Sequence, residues 1–231
     1  MYQAEQISIL IITCVLSAAF IFVGSKIRKL SPRDVPKGPL LAVVLGVEML
    51  INFTVENMGK KHGRTMAAYI GSVFIYIFVA NISGLFGLQA PTSNFSVTLV
   101  LALITWLMIQ ITKIRENGFK GYLKGFLDPF PLFLIPNIFS TVAPLISMSL
   151  RLFGNVISGS VIMGLIYTFT AWLSSFIPFN VAGFNFVSLV VTPWLHLYFD
   201  LFSGFLQAFI FISLTSIFIA IEYSDEEENY G

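Results

Sequence analysis

The sequence predicts an all-α polytopic membrane protein with about five membrane spans, one interfacial amphipathic helix and a final helical hairpin of two long, strongly tilted spans. Three observations predict this class. Of the 231 residues, 56% are hydrophobic and only 11% are charged. The mean hydropathy of +0.85 is not that of a soluble domain. Long apolar runs alternate with short segments that carry most of the Lys and Arg residues, as in spans joined by loops.

Composition argues against several functional classes. The net charge is +1, and no basic patch is interleaved with aromatic residues, so nucleic-acid binding is not expected. The single cysteine, Cys14, excludes an internal disulfide. Two histidines, His62 and His196, without cysteines or paired carboxylates at ligand spacing argue against a metal site. The sequence has no Gly-rich phosphate loop and no Ser-His-Asp pattern, so neither a cofactor nor a catalytic site of its own is expected.

The first span is predicted at residues 7–24, and the charges around it predict its orientation. No Lys or Arg precedes it, whereas five follow it: Lys26, Arg28, Lys29, Arg33 and Lys37. By the positive-inside rule, the N-terminus then lies outside and the basic segment lies in the cytoplasm. Residues 37–60 predict an amphipathic helix on the cytoplasmic side, because Glu48, Asn52 and Glu56 recur every four residues beside apolar positions.

Two further spans are predicted at residues 66–88 and 94–115. The turn between them, residues 89–94, contains no Lys or Arg, as expected for an outward loop. The segments at their other ends are basic: Lys60, Lys61, Arg64, Lys113, Arg115, Lys120 and Lys124. Both of those segments are therefore predicted to be cytoplasmic, and His62 is interpreted as a solvated side chain within the first of them.

The last two spans are predicted at residues 136–176 and 193–223. If helical throughout, they would be roughly 60 Å and 46 Å long, against a hydrocarbon core of about 30 Å. They must therefore tilt strongly or break. The linker between them is uncharged, which places it outside, and the acidic segment 224–231 is interpreted as a solvated cytoplasmic tail.

Each long span carries a polar stripe at helical spacing. Arg151 is the only basic side chain between Lys124 and the C-terminus, and such a charge in mid-membrane costs roughly 2.5–3.5 kcal/mol on insertion scales. The stripes contain Asn137, Ser140 or Thr141, Ser147, Arg151, Asn155 and Ser158 on the first span, and His196, Asp200, Ser203 and Gln207 on the second. Such groups usually line an ion route. The alternatives are an arginine that reaches a lipid headgroup and polar residues that only join helices.

Two motifs at these positions carry a resemblance to a known family. Ser-Leu-Arg-Leu-Phe-Gly-Asn stands at residues 149–155, and Leu-Gln-Ala-Phe-Ile-Phe at residues 206–211. Weaker similarity extends back through residues 79–81 and 91–99. Over about two-thirds of its length, the chain thus resembles the a subunit of the rotary F-type ATP synthase. The resemblance implies that the last two helices pack, long and tilted, against a rotating ring of c subunits.

The resemblance also implies a function and partners. Arg151 takes the position of the essential arginine that faces the carboxylate of each passing c subunit, and Asn155 and Gln207 take the positions of its polar neighbours. The implied protein is a stator subunit whose two aqueous half-channels load and unload H⁺ or Na⁺ on the c-ring, beside peripheral-stalk b subunits in a lipid bilayer. We expect a bacterial plasma membrane, or alternatively the mitochondrial inner membrane. A proton- or sodium-coupled secondary transporter is the rival function, but it predicts internal repeats, and the sequence has none.

The chain departs from the family pattern at two positions. Nine residues after the arginine, where the family has Glu or His, stands Ser160, whereas Asp200 stands seven residues before the glutamine. We therefore expect Asp200, opposite Arg151, to be the relay carboxylate of the outward half-channel; the alternative is a structural ion pair with His196. The further channel-lining candidates are His196, Ser160, Ser158, Ser147, Asn137, Ser203 and Asn94.

Overall fold

The computed structural model describes residues 2–28, 38–128, 130–176 and 185–223. These residues form six α-helices: α1 (Tyr2–Arg28), α2 (Pro39–Ile82), α3 (Phe95–Gly125), α4 (Leu134–Ser174), α5 (Phe186–His196) and α6 (Ser203–Ile221). A π-helical segment, Leu197–Phe202, joins α5 to α6, and short 3₁₀ turns lie at Ser83–Phe86, Pro91–Ser93 and Pro131–Phe133. No strand occurs in the described ranges. The all-α class is therefore confirmed.

Five stretches of the described chain are long and apolar enough to cross a membrane. They are Gln6–Arg28, Pro39–Phe86, Phe95–Gly125, Pro131–Ser174 and Phe186–Ile221. The number of spans equals that expected from the sequence. The acidic tail at 224–231 and half of the predicted outward linker, residues 177–184, lie outside the described residues.

A bend at Gly59 divides α2 into two halves, residues 39–58 and 60–82. Gly59 has φ 77° and ψ 164°, a conformation that a residue with a side chain rarely adopts. The two halves then meet very closely at Gly63, where an added Cβ would lie 2.5 Å from the Cα atom of Val55. The first half covers residues 39–58 of the predicted amphipathic segment 37–60; residue 37 lies outside the described residues.

Helix α3 begins where the sequence predicted a span, but it ends ten residues later than residue 115, at Gly125. Asn94 caps its start, because its side-chain oxygen accepts a hydrogen bond from the amide of Ser96 at 2.9 Å. Gly118, with φ 67° and ψ 162°, interrupts the helix. The additional residues thus belong to a short helical extension after the interruption, in the basic segment.

Helix α4 is continuous over 41 residues, although Pro144 lies inside it. At 1.5 Å per residue it is about 61 Å long, so a helix of this length must tilt to keep its apolar residues in a bilayer. The following helix begins at Phe186 instead of residue 193, because Asn185 caps it by accepting from the amide of Ser188. Pro193 consequently lies inside α5 and does not start it.

The helices pack in a bundle whose core lies between α2, α3, α4 and α6. Helix α2 packs on α6, α3 packs on α4, and α4 packs on α5. One buried cluster joins Ile77, Ala102, Met148, Leu152, Ala208 and Phe211, and a second joins Met58, Ile70, Ile109, Ile212 and Ile219. The core therefore holds the N-terminal half of α4 against α3 and α6, which fixes the position of the polar residues that follow Leu152.

Candidate functional site

A cavity of about 480 Å³ lies between α2, α4 and the π-helical segment. We call it the polar cavity, because many of its lining side chains are polar: Asn81, Gln89, Ser93, Asn155, Ser160, Tyr167, His196 and Asp200. Four of the residues predicted from the sequence, Asn155, Ser160, His196 and Asp200, thus meet in one cavity. A polar cavity between largely apolar helices is a place where water and ions can enter a membrane protein.

A chain of two hydrogen bonds crosses the polar cavity. His196 Nδ1 lies 2.6 Å from Asp200 Oδ2, and the Tyr167 hydroxyl lies 2.9 Å from His196 Nε2. The three side chains form a phenol–imidazole–carboxylate sequence, in which the imidazole can accept a proton on one nitrogen and donate one from the other. Such a chain can move a proton between Tyr167 and Asp200.

The local backbone sets the direction of the Asp200 side chain. It lies in the π-helical segment, which is a rare conformation that is frequent at functional sites. Its carboxylate lies against Gly84, where an added Cβ would stand 3.8 Å from Oδ2. Both side chains are partly exposed, His196 to 33% and Asp200 to 24%.

Asn81 and Asn155 tie the walls of the polar cavity together. Asn81 donates to the Gly204 carbonyl at 3.2 Å and accepts from the Thr92 hydroxyl at 2.8 Å, which connects α2, α6 and the turn before α3. Asn155 accepts from the Ser203 hydroxyl at 2.8 Å, which connects α4 to α6. These contacts hold together the elements that carry Tyr167, His196 and Asp200.

Arg151 does not line the polar cavity. It lies on an exposed stripe of α4, between Leu150 (51% exposed) and Val161 (56% exposed). Within the described part of the chain, Arg151 has neither an ion pair nor a hydrogen bond, and Asp200 pairs with His196 instead. The sequence-based expectation that Arg151 stands opposite Asp200 is thus not realised as a contact within this chain. Asn155, one helical turn later, is the residue that connects the stripe to the cavity.

The other predicted residues are distributed over the chain. Ser147 and Ser158 are exposed on the same face of α4 as Arg151, and Ser158 donates to the Gly154 carbonyl at 2.6 Å. Gln207 is only 6% exposed, and its amide nitrogen has no hydrogen-bond partner among the described residues. Asn94 caps α3, as described above.

A second cavity, of about 170 Å³, lies between α3, α4 and the end of α6. We call it the Lys113 cavity; its polar lining comprises Trp106, Gln110, Lys113, Ser140, Thr141 and Glu222. Lys113 Nζ lies 3.2 Å from Glu222 Oε1 at its rim. A neighbouring cavity of about 110 Å³ includes Asn137 and again Lys113, Ser140 and Thr141. Asn137 therefore belongs to this end of the molecule, away from His196 and Asp200.

Sequence reasoning missed Tyr167, Asn81 and the Lys113–Glu222 pair as parts of these cavities. Tyr167 stands seven residues after Ser160, which is two helical turns along one face of α4, so its position carried a usable signal. A tyrosine in an apolar run is equally typical of packing or of the membrane interface. Lys113 and Glu222 are 109 residues apart, and nothing local in the sequence links them.

Comparison with known families decides what kind of protein this is. The family model described as ATP synthase A chain matches residues 7–220. The chain belongs to the ATP synthase subunit a family. The resemblance carried by residues 149–155 and 206–211 is thereby confirmed, and ATP synthesis and ion transport fit the family.

Individual subunit a proteins are similar over most of the chain. One from Streptococcus agalactiae serotype III is 34% identical over 223 residues, which covers 92% of this chain and 89% of that protein. One from Mycoplasmoides gallisepticum is 32% identical over 219 residues, covering 89% and 72%. A third, from Propionigenium modestum, is named sodium ion specific; it is 33% identical over 175 residues, covering 69% and 55%. The subunit a fold thus accounts for nearly the whole chain, and with its five apolar helices the chain is a membrane protein.

Proposed function

We propose that the chain is the stator subunit that loads and unloads H⁺ or Na⁺ on a rotating ring of c subunits and so couples ion flow to ATP synthesis. The observation that carries this proposal is the Tyr167–His196–Asp200 hydrogen-bonded chain inside the polar cavity. Asn155 lines the same cavity and lies one helical turn from Arg151. The cavity that contains the ion-exchanging group Asp200 therefore reaches α4 one helical turn from its fixed positive charge.

In this proposal, Asp200 is the relay carboxylate. It exchanges a proton with water in the polar cavity, or holds a cation there, and passes it to the carboxylate of an arriving c subunit. His196 orients the Asp200 carboxylate through the 2.6 Å hydrogen bond, and Tyr167 fixes the other ring nitrogen of His196. Ser160, which stands where the family has a carboxylate, lines the same cavity. The side chains at Ser160 and Asp200 therefore reach one cavity from two different helical elements.

Arg151 is assigned to the contact with the c-ring. Its exposed face of α4 carries the polar Ser147 and Ser158 beside the apolar Leu150, Val161 and Leu165, and a charge on such a face is costly against lipid unless a partner compensates it. A fixed guanidinium there favours the ionised form of a ring carboxylate and repels a cation that would pass directly between entry and exit paths. Gln207 and Asn155 are its polar neighbours.

The two cavities are assigned to the two half-channels. The polar cavity borders Gln89 and Ser93, in a turn without Lys or Arg, and is assigned to the outside. The Lys113 cavity borders the basic end of α3 and is assigned to the cytoplasm. An ion must then travel between them on the ring. Each elementary charge that crosses 100 mV supplies about 2.3 kcal/mol, so several ions are needed for each ATP.

The assembly follows from the same proposal. The chain lies as a multi-pass protein in a bacterial plasma membrane, with its N-terminus outside and its C-terminus in the cytoplasm. The c-ring contacts the exposed face of α4, and peripheral-stalk b subunits hold the chain against rotation. The catalytic head to which the ring transmits torque belongs to other subunits.

Replacing Asp200 tests the relay. Asp200→Asn keeps the shape and the hydrogen bonding of the side chain but removes its titratable group, so ion-driven ATP synthesis in membrane vesicles should fall at least tenfold, a loss typical of a removed acid–base group. Adding Ser160→Glu should restore part of the flux, because both residues line the polar cavity. Asp128→Asn, in the exposed loop after α3, is the matched control and should leave synthesis near normal.

The alternative role of Asp200, a structural ion pair with His196, gives different results. A purely structural pair predicts that Asp200→Asn lowers the amount or the thermal stability of the assembled complex, while the remaining complexes work normally. Full activity of assembled Asp200→Asn complexes would reject the relay. A loss without any recovery by Ser160→Glu would reject the idea that the family's carboxylate has moved from one helix to the other.

A further inference from the structure

The Lys113–Glu222 pair stands at the rim of the Lys113 cavity. Both side chains line the cavity, and both also reach the surface, since their exposures are 33% and 18%. The N–O distance of 3.2 Å makes this an ion pair between α3 and the residue that follows α6. Anything that enters the cavity from this end passes close to these two charges.

Lys113 also borders the smaller neighbouring cavity that contains Tyr122 and Asn137. Ser140 and Thr141 line both spaces as well. Lys113 is thus a charged residue shared by these two neighbouring compartments. A cation that moved between the compartments would meet the positive charge of Lys113 unless that charge were neutralised.

Glu222 is held beside Lys113 by the residue that follows it. The Tyr223 ring stacks on His62 of α2, with ring centroids 3.7 Å apart. Burial raises the pKa of the Tyr223 phenol, although its hydrogen bond to Thr112 lowers it. Thr112 directly precedes Lys113, so the end of α6 lies beside the same turn of α3 that carries the ammonium.

We propose that Glu222 is a positioning and charge-compensating residue that neutralises Lys113 at the rim, and that the pair sets how readily monovalent cations exchange between the Lys113 cavity and the solution. This inference rests on the proposed function, because it takes the Lys113 cavity to be a half-channel. It adds to that function a control of ion access at the end remote from the relay. Removing the charge of Glu222 and removing the charge of Lys113 should change cation access in opposite directions. If the pair were only a structural brace, both changes would alter access in the same direction.

Thiol labelling with charged reagents measures this access directly. The reporter is Ser140→Cys in a Cys14→Ser background, in the assembled complex in inverted vesicles. It reacts in separate samples with a cationic and an anionic methanethiosulfonate of similar size. The quantity measured is the ratio of the cationic to the anionic reaction rate. Glu222→Gln should lower this ratio roughly tenfold, and Lys113→Met should raise it by a similar factor, with both effects reduced in 1 M salt.

Two controls separate charge from structure. Glu56→Gln removes an exposed acidic group of α2 that lines neither cavity, and it should leave the ratio unchanged. The charge-reversed double variant Lys113→Glu with Glu222→Lys restores neutrality at the rim and should return the ratio to within about twofold of the parent value. Thr141→Cys is a second reporter for the same cavity if Ser140→Cys complexes assemble poorly.

The results distinguish this inference from the proposed function. If Glu222→Gln and Lys113→Met change both reagent rates by the same factor, the pair is only a brace and the inference is wrong, while the half-channel assignment stands. If neither reporter reacts with any reagent in the parent complex, the Lys113 cavity is not a water path, and both the inference and the inward half-channel are rejected.

Discussion

Arg151 is the charged side chain on α4 that has no ion-pair partner within the described chain, and it is exposed between apolar neighbours. A charge in that position is costly in a membrane unless another group compensates it. No described residue supplies that compensating group. The carboxylates of a c-ring would supply it, which is why the function of Arg151 depends on the assembled complex.

Arg151→Ala should abolish gradient-driven ATP synthesis in vesicles while leaving the complex assembled, because Arg151 makes no polar contact within the described chain. Arg151→Lys should fail too, since an ammonium is a more mobile charge that can lose its proton when desolvated. The matched control is Thr168→Ala on the same helix, whose hydroxyl donates only to the Gly164 carbonyl. Near-normal synthesis by Arg151→Ala vesicles would refute the central role of this residue.

The relay residues show how far a sequence predicts a site. His196 and Asp200 could be predicted as neighbours, because a spacing of four residues puts them on one helix face, whereas Ser160 was selected only from the position of the family's carboxylate. The spacing of Tyr167 from Ser160 puts it on the same face of α4, but its hydrogen bond to His196 could not be predicted, since that partner lies on another helix. Which side chains meet between helices depends on how the helices rotate and cross, and a single sequence does not contain that information locally.

At the scale of the elements, the spans were predictable from their apolar length, but their ends were not. Helix α3 continues to Gly125 because amphipathic basic sequence can remain helical after it leaves the apolar segment. The π-helical segment around Asp200 was not predicted either. No periodic signal in the sequence separates these residues from the flanking α-helical turns, and π-helical turns are rare.

The bend of α2 gives a stability prediction. Gly63→Ala should destabilise the subunit by roughly 1–3 kcal/mol or more, as overpacking does. Its Cβ would stand 2.5 Å from the Val55 Cα atom and 2.6 Å from the Thr54 carbonyl oxygen, and backbone atoms cannot move aside cheaply. Thermal denaturation of the detergent-purified complex and the amount of assembled subunit measure the effect.

Gly46→Ala is the matched control for this prediction, because Gly46 lies in the same helix α2 and nothing stands within 4 Å of an added Cβ. Alanine favours an exposed helix interior by about 1 kcal/mol over glycine, so this variant should be neutral or slightly stabilising. Equal behaviour of the two variants would show that the close approach at Gly63 does not constrain the bend.

At the scale of the whole molecule, the two cavities lie at different ends of the bundle, and their assignment to opposite sides of the membrane depends on topology. The length of helix α3 shows whether its two ends can lie on opposite sides of a membrane. From Phe95 to the interruption at Gly118 it runs about 35 Å at 1.5 Å per residue, which is enough to cross a hydrocarbon core. Ser93 and Lys120 therefore flank one span, the first in an uncharged turn and the second in a basic segment.

Labelling of single cysteines checks this arrangement. In a Cys14→Ser background, which removes the exposed native thiol, Ser93→Cys should react with a membrane-impermeant reagent added outside, whereas Lys61→Cys and Lys120→Cys should react only from the cytoplasm. The equivalent positions Asn180 and Glu227, expected outside and inside, lie beyond the described residues. A permeant reagent should label every variant and serves as the control for reactivity. An externally reactive Lys120→Cys would reverse the orientation of α3 and would exchange the two half-channels, so that the relay at Asp200 would face the cytoplasm.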